Sequence, residues 1–367
     1  MKNKGFTLVE LLAVIAILAI LVIIALPNVL KMFNDSKKNS FLTETKTIYS
    51  EVSKKYISES MKENKLTYIS SEDDTKLEMT GKSLKYCVLL NADGSVKSMK
   101  VSNGEWIVEL PDNKKITDLK ITDLKPIPTD YKFECMSASF AYDSWSTIAN
   151  NVKAGNTSNY HVGDEREVDL GIYGKHMVRI ANMSTPNECN DSNFSQSACG
   201  FVVEFTDIIT THNMNRTATN IGGWPESQMK TFINNDIYNS LPPKLKSVII
   251  DTKTVSGHGS GDTGYFTSPE DKLYLLAPKE IYSNFLNEYD SAADLTRQLD
   301  YYKIRGVTTN SKDGAIKNNS AGKANWWWLR CASSNYDISF YSVDYDGVWN
   351  SYDANIKYGV SPAFRIG

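Results

Sequence analysis

The sequence predicts an α+β protein: a long amino-terminal helix that starts in lipid and continues as a stalk, a small antiparallel sheet, then an irregular α+β domain. Three observations predict it. Residues 6–26 are apolar except for Thr7 and Glu10. Residues 65–125 alternate apolar and polar side chains between Asn/Gly turns. Beyond residue 131, short apolar runs and few helical patterns are separated by long Gly/Asn/Ser-rich loops. A length of 367 residues suits about two globular domains. With 40 basic against 43 acidic side chains, the net charge of −3 excludes a strongly basic nucleic-acid binder, and no nucleic-acid partner is expected. A hydrophobic content of 41% excludes wholesale disorder.

At 1.5 Å per residue, a helix over residues 6–26 spans roughly 31 Å, the thickness of a bilayer core. A cleaved secretory signal would have a shorter apolar stretch and a small-residue cleavage site, whereas Leu26-Pro27-Asn28 follows here, so the helix reads as retained. Lys2 and Lys4 on one flank and Lys31, Lys37 and Lys38 on the other leave the orientation open by charge counting. A carboxylate such as Glu10 costs about 2.5–3.5 kcal/mol near the middle of a span, less near its end. It either snorkels to the interface or meets a partner supplied by another chain.

Met1-Lys-Asn-Lys-Gly5 followed by Phe6-Thr-Leu-Val-Glu10 and the apolar run resembles the prepilin leader and helix of type IV pilins and pseudopilins. The resemblance implies that a prepilin peptidase cuts between Gly5 and Phe6, that the new Phe6 amine is methylated, and that the leader (1–5) is cytoplasmic. It further implies that Glu10 pairs with the Phe6 amine of a neighbouring pilin subunit, and that Pro27 kinks or opens the helix. Membrane lipid surrounds the helix before assembly.

Over residues 27–64 the stalk continues. Leu30, Phe33, Phe41, Ile48, Val52, Tyr56 and Ile57 lie near one face, interrupted by Lys37 and Thr45. In 65–125, Tyr86-Cys-Val-Leu-Leu, a turn at Asn91–Gly94 and a second apolar stretch make a hairpin. Asn103-Gly104 then turns into a strand whose Trp106, Val108 and Leu110 share a face. This meander agrees with the pilin resemblance. Lys115-Ile-Thr-Asp-Leu repeats as Lys120-Ile-Thr-Asp-Leu, read as a sheet edge or duplicated linker; Pro126 and Pro128 mark a boundary at 126–130.

The domain from 131 to 367 opens with a helix over 143–155, and others are expected after Pro225 (burying Met229, Phe232 and Ile233) and after Pro278 (using Ile281 and Phe285). Strands are expected at 177–181, 201–205, 273–277, 326–330, 339–343 and 360–366. Gly222-Gly-Trp224, Trp326-Trp-Trp-Leu-Arg330, Asp346-Gly347 and Gly359-Val-Ser-Pro-Ala-Phe-Arg365 resemble a module of secreted bacterial proteins associated with C-type-lectin-like and formylglycine-generating-enzyme-like folds. The resemblance spans residues 140–366 and implies architecture rather than activity.

No catalytic, metal or cofactor site is expected. Gly259-Ser-Gly261-Asp-Thr-Gly264 matches a dinucleotide fingerprint, but Tyr265-Phe-Thr-Ser-Pro follows where a helix is needed. The four histidines, His161, His176, His212 and His258, form no metal-ligand pair, and Ser260 lacks the flanking glycines of a nucleophile elbow. Asp344 and Asp346 fit a hairpin turn better than a calcium loop. Aromatic residues crowd the last fifth of the chain. Alternation sends Trp326 and Trp328 to one face and Trp327 to the other. Core packing is one account; a platform for a glycan or surface-protein ligand at Trp327, Tyr345 and Trp349 is the other, and it requires exposed rings. The five cysteines suit an oxidising destination, with Cys189 and Cys199 bracketing one loop and Cys87 and Cys135 fastening the sheet. Cys331 is left as a small buried side chain.

These readings converge on a pilin-like subunit, minor or at the tip, that begins as a single-pass protein of the cytoplasmic membrane and displays its large domain on an extracellular filament or the cell surface. A pseudopilin of a secretion or DNA-uptake system is the alternative, and a membrane-anchored enzyme a third.

Overall fold

The computed structural model describes residues 8–61, 66, 68–71, 76–78, 84–91, 93–111, 114–129, 131–133, 135, 139–259 and 264–367. The chain divides into two units, Met1–Ser137 and Ala138–Gly367. The division falls later than the prolines suggest, because residues just after them belong to the first unit. Tyr131 and Phe133 set their rings 5.8 Å from the Lys100 ammonium, and Cys135 bonds to Cys87.

The first unit is built on α1 (Leu8–Ser60). It stays helical through Pro27 rather than opening there, and the Asn28 amide donates to the Ile24 carbonyl at 3.5 Å. Its large apolar side chains from Leu8 to Phe33 are exposed, whereas Phe41, Leu42, Thr45, Ile48 and Val52 are buried. Thr45 does not interrupt the buried stripe, because its hydroxyl donates to the Phe41 carbonyl at 2.9 Å and leaves only a methyl to pack. Leu30, Phe33 and Ile57 fall outside the stripe and are exposed, since the core partners reach only from Phe41 to Tyr56.

Those partners come from a sheet of β1 (Tyr68–Ser70), β2 (Lys85–Leu90), β3 (Val96–Ser102), β4 (Trp106–Leu110) and β5 (Lys125–Pro126), paired antiparallel in sequence order. Val88 lies opposite Met99 and Val101 opposite Val108, and all four are buried with Ile48 and Val52 in one core. Gly94, at φ +82°, closes the β2–β3 turn where any Cβ would collide with the Tyr56 ring. The five-residue repeat is neither strand nor linker. Each copy makes one 3₁₀ turn, Ile116–Asp118 and Ile121–Asp123, and each then drops its leucine, Leu119 or Leu124, into the core shared with α1.

The second unit starts with α2 (Trp145–Ala154), where the Ser144 hydroxyl accepts from Thr147 N–H at 3.1 Å and Gly155 ends the helix at φ +71°. Its strands are β6 (Glu165–Asp169), β7 (Lys175–Asn182), β8 (Val202–Phe205), β9 (Thr210–His212), β10 (Ile249–Ile250), β11 (Thr252–Gly257), β12 (Tyr265–Asp271), β13 (Lys317–Asn318), β14 (Ala324–Asn325), β15 (Trp327–Ala332), β16 (Ser339–Val343), β17 (Trp349–Asp353), β18 (Tyr358–Val360) and β19 (Ala363–Ile366). They form two five-stranded sheets, β10-β19-β8-β7-β6 and β17-β16-β15-β18-β9, and two hairpins, β11-β12 and β13-β14. Among the described residues, only β15 with β18 pairs parallel.

Four predicted elements come out differently. The helix expected after Pro278 to use Ile281 and Phe285 is a single turn, Pro278–Ile281, and Phe285 is buried from the loop that follows. The expected strand at 360–366 is split between the two sheets around Pro362, which has no N–H to offer a ladder. The wholly buried run 273–277 makes a single bridge, Tyr274 to Ala363. Side chains satisfy much of the rest of its backbone: Asn234 brackets Leu273, Arg330 donates to the Leu275 carbonyl, and Glu280 accepts from Ala277 N–H. The helix expected after Pro225 is broken into Gly223–Glu226, Gln228–Phe232, a π-helical turn at Ile233–Ile237 and Tyr238–Ser240.

Candidate functional site

The sequence singles out two regions, the amino-terminal helix and the aromatic residues near the carboxy terminus. Gly5 and Phe6 lie outside the described residues. Glu10 sits in the first turn of α1, on the exposed apolar stretch. That stretch is long and apolar enough to cross a membrane. Among the described residues, the side chains buried on α1 begin at Phe41, and those of its first half are exposed.

Cys189 and Cys199 are bonded at an S–S distance of 2.03 Å, and Cys87 and Cys135 stand at disulfide distance with Cα atoms 5.7 Å apart. Cys331 is free and wholly buried beside Asp290, and burial pushes its thiol well above the ordinary value. A thiol so placed is inert. Among the described residues no group of three or more His, Cys, Asp or Glu is placed to hold a metal ion.

Two sets of charged residues in the second unit are buried in its core. The Arg330 guanidinium donates to both oxygens of Glu280 at 2.7 Å, and further to the carbonyls of Val255 and Leu275. Glu204, wholly buried, takes Arg179 at 2.9 Å and Lys317 at 2.8 Å, and the Tyr302 hydroxyl donates to it. Burial works against the Glu204 carboxylate, but the two cations hold it below the ordinary range. These pairs replace water for buried ions and present nothing to a ligand.

The aromatic residues separate into core and surface. Trp327 is wholly buried, its indole N–H donating to the Ala315 carbonyl at 3.1 Å, and so cannot belong to a ligand surface. The period of two puts it on the face of β15 opposite to Trp328, but both faces are covered, since every residue of Trp327–Ala332 is buried. Trp349 is half-buried, with its ring centroid 5.0 Å from those of Phe285 and Tyr289. Tyr345 remains open, 53% exposed.

Tyr345 has partners that the sequence reading did not select. Its ring meets Trp326 edge-on at 5.0 Å; Trp326 stacks over Tyr358 at 6.0 Å with planes 16° apart; and Tyr358 meets Tyr352 edge-on at 5.1 Å. Trp326, Tyr352 and Tyr358 are half-buried and Trp328, beneath Tyr358, is wholly covered. The rings have polar edges. The exposed Asn350 amide nitrogen lies 3.4 Å from both the Asp344 carboxylate and the Tyr352 hydroxyl. Burial raises the Asp344 carboxyl, whereas Lys312, 2.8 Å from Asp346, lowers that one. Asp344 and Asp346 form the β16–β17 turn: Asp344 N–H donates to the Val348 carbonyl at 2.7 Å, and the Gly347 carbonyl receives the Tyr282 hydroxyl at 2.6 Å. The alternation rule sets Trp327 apart from Trp328, but both faces of the strand are buried, and the partly open indole is Trp326, which precedes it.

Comparison with known families gives two matches. Residues 1–26 match the prokaryotic N-terminal methylation motif, and residues 202–367 match a domain of unknown function, DUF6273. No curated protein and no solved structure matches the chain. The first match gives the chain the start of a type IV pilin-like or pseudopilin precursor, a class processed by prepilin peptidase and assembled with other pilins. The second leaves the lectin-like resemblance an architectural expectation.

Proposed function

We propose that this chain is a minor or tip subunit of a type IV pilus, packed into the filament through the first half of α1 and displaying its carboxy-terminal unit outside the cell as a binding domain. The observation that carries the reading is the methylation motif at residues 1–26, continuous with a helix whose exposed apolar stretch ends near Phe33. An exposed stripe of that length must be covered by lipid or by other helices. The minor or tip position follows from bulk. A unit spanning Ala138–Gly367 on every subunit would crowd a packed filament. The binding role rests on the partly open rings around Trp326 and Tyr345, and the proposal assigns no catalysis.

Intact-protein mass spectrometry tests the first step, with the mature chain expected to begin at methylated Phe6. Glu10→Ala should leave membrane insertion intact and reduce recovery of the protein in sheared filaments. A chain that still carries Met1, or normal incorporation of the variant, overturns the assembly reading. Recovery with a secretion or DNA-uptake apparatus instead of surface filaments assigns the chain to a pseudopilus.

A further inference from the structure

We propose that the rings around Trp326 and Tyr345 form a carbohydrate site, in which their open faces stack on the C–H side of a neutral pyranose while Asn350 and Asp344 meet its hydroxyl groups. This deepens the reading of a displayed binding domain and rests on it. Neighbouring tryptophans in one run are treated differently: Trp327 and Trp328 have no exposure, while Trp326 is only half-buried and Tyr345 against it stays open to solvent. Leaving large rings in water forgoes about 25 cal/mol for each Å² of apolar surface, so a cluster of them left open marks a contact site.

The platform is fixed before any ligand arrives. Tyr345 stands on the Asp344–Val348 turn, which is pinned from below by the Tyr282 hydroxyl, and Trp326 is held between the rings of Tyr345 at 5.0 Å and Tyr358 at 6.0 Å. Rigid rings lose little conformational freedom on binding. The chemistry around them selects a sugar over a peptide. Tyr352, Tyr358 and Trp326 put hydroxyl and indole groups at the ring edges; the Asn350 amide oxygen accepts from Ser351 N–H at 2.8 Å, while its nitrogen makes only 3.4 Å contacts to Asp344 and Tyr352, which leaves it donors for a ligand. Aromatic faces bordered by an amide and a carboxylate match a pyranose, which has an apolar face and a polar rim. A peptide groove would instead offer pockets for aliphatic side chains.

The test uses the full chain in a phosphocholine detergent, since glucoside and maltoside detergents carry the chemistry in question. The probe is a printed array of neutral, N-acetylated and sialylated glycans. Wild type should retain a set of neutral glycans. Trp326→Ala and Tyr345→Ala should each weaken that binding by about tenfold, the loss of one stacked ring. Tyr345→Phe, which keeps the ring, should stay within about twofold. Circular dichroism of each variant should match wild type. Retention of no glycan, equal retention by wild type and the alanine variants, or equal capture of glycosylated and enzymatically deglycosylated surface proteins each overturns the site. Filament recovery of the same variants is measured in parallel: empty arrays with normal incorporation refute the sugar site alone, whereas an unprocessed amino terminus refutes the assembly reading.

Discussion

The Arg330 guanidinium and the Glu280 carboxylate face each other through two hydrogen bonds of 2.7 Å, with neither side chain exposed. Removing one partner leaves the other charged and dry. Glu280→Gln is therefore expected to cost about 3–5 kcal/mol of unfolding free energy, and replacing both residues by methionine much less than that. Urea denaturation of the two variants checks this; a loss below about 1 kcal/mol for Glu280→Gln would show that the pair is not what holds 273–277 in place.

His176 and Asp207 make a pH-dependent contact. Asp207, 3.1 Å from Nδ1, and the Tyr173 carbonyl on Nε2 raise the imidazole above its ordinary value of 6.5. A group whose folded value is raised contributes fully below its unfolded value and loses the contribution as pH rises through the folded one. The stability gap between wild type and Asp207→Asn should thus be larger near pH 6 than near pH 8. A gap that widens toward alkaline pH contradicts the assignment.

Alkylation distinguishes the cysteines. In the oxidised native chain iodoacetamide should label none of the five; unfolding without reduction should add label at Cys331 alone, because burial withholds its thiol. Cys189→Ser is expected to lose about 2–3 kcal/mol, the closure entropy of a loop of this size. Native labelling at Cys87 or Cys135 would remove the bond between the sheet and the segment after β5.

The repeat gives a paired prediction. Leu119 and Leu124 occupy equivalent places beside α1, so Leu119→Ala and Leu124→Ala should each cost about 2–4 kcal/mol. Ile116→Ala and Ile121→Ala, at half-buried positions, should cost about 1 kcal/mol. Thermal unfolding of the set would reject the packing role if the isoleucine variants proved the weaker.

The parts legible in the sequence are those fixed by local rules. Apolar content gave the amino-terminal helix, Asn91–Gly94 gave the first hairpin, and Ser144 and Gly155 bounded α2. The candidate surface was half legible, since Tyr345 is open but Trp327 is not. A period of two separates faces, while exposure depends on which loops arrive from elsewhere in the chain. Likewise nothing local in the sequence marks Arg330, Glu204 and Lys317 as buried ions, because their partners are distant in the chain, and the run 273–277 reads as a strand because its satisfaction by Asn234 and Arg330 is non-local.

The tryptophan triplet leaves β15 with an ambiguity that the fold has to resolve. Sliding the strand by one position against β16 would exchange indole for indole at two of the three tryptophan positions, so burial of these rings distinguishes correct from shifted alignment only weakly. The same slide pulls Arg330 off Glu280 and strands two ions in the interior. The guanidinium thus acts as a proofreader for the strand, and which indole ends up facing the outside world is decided by a salt link at the strand's other end.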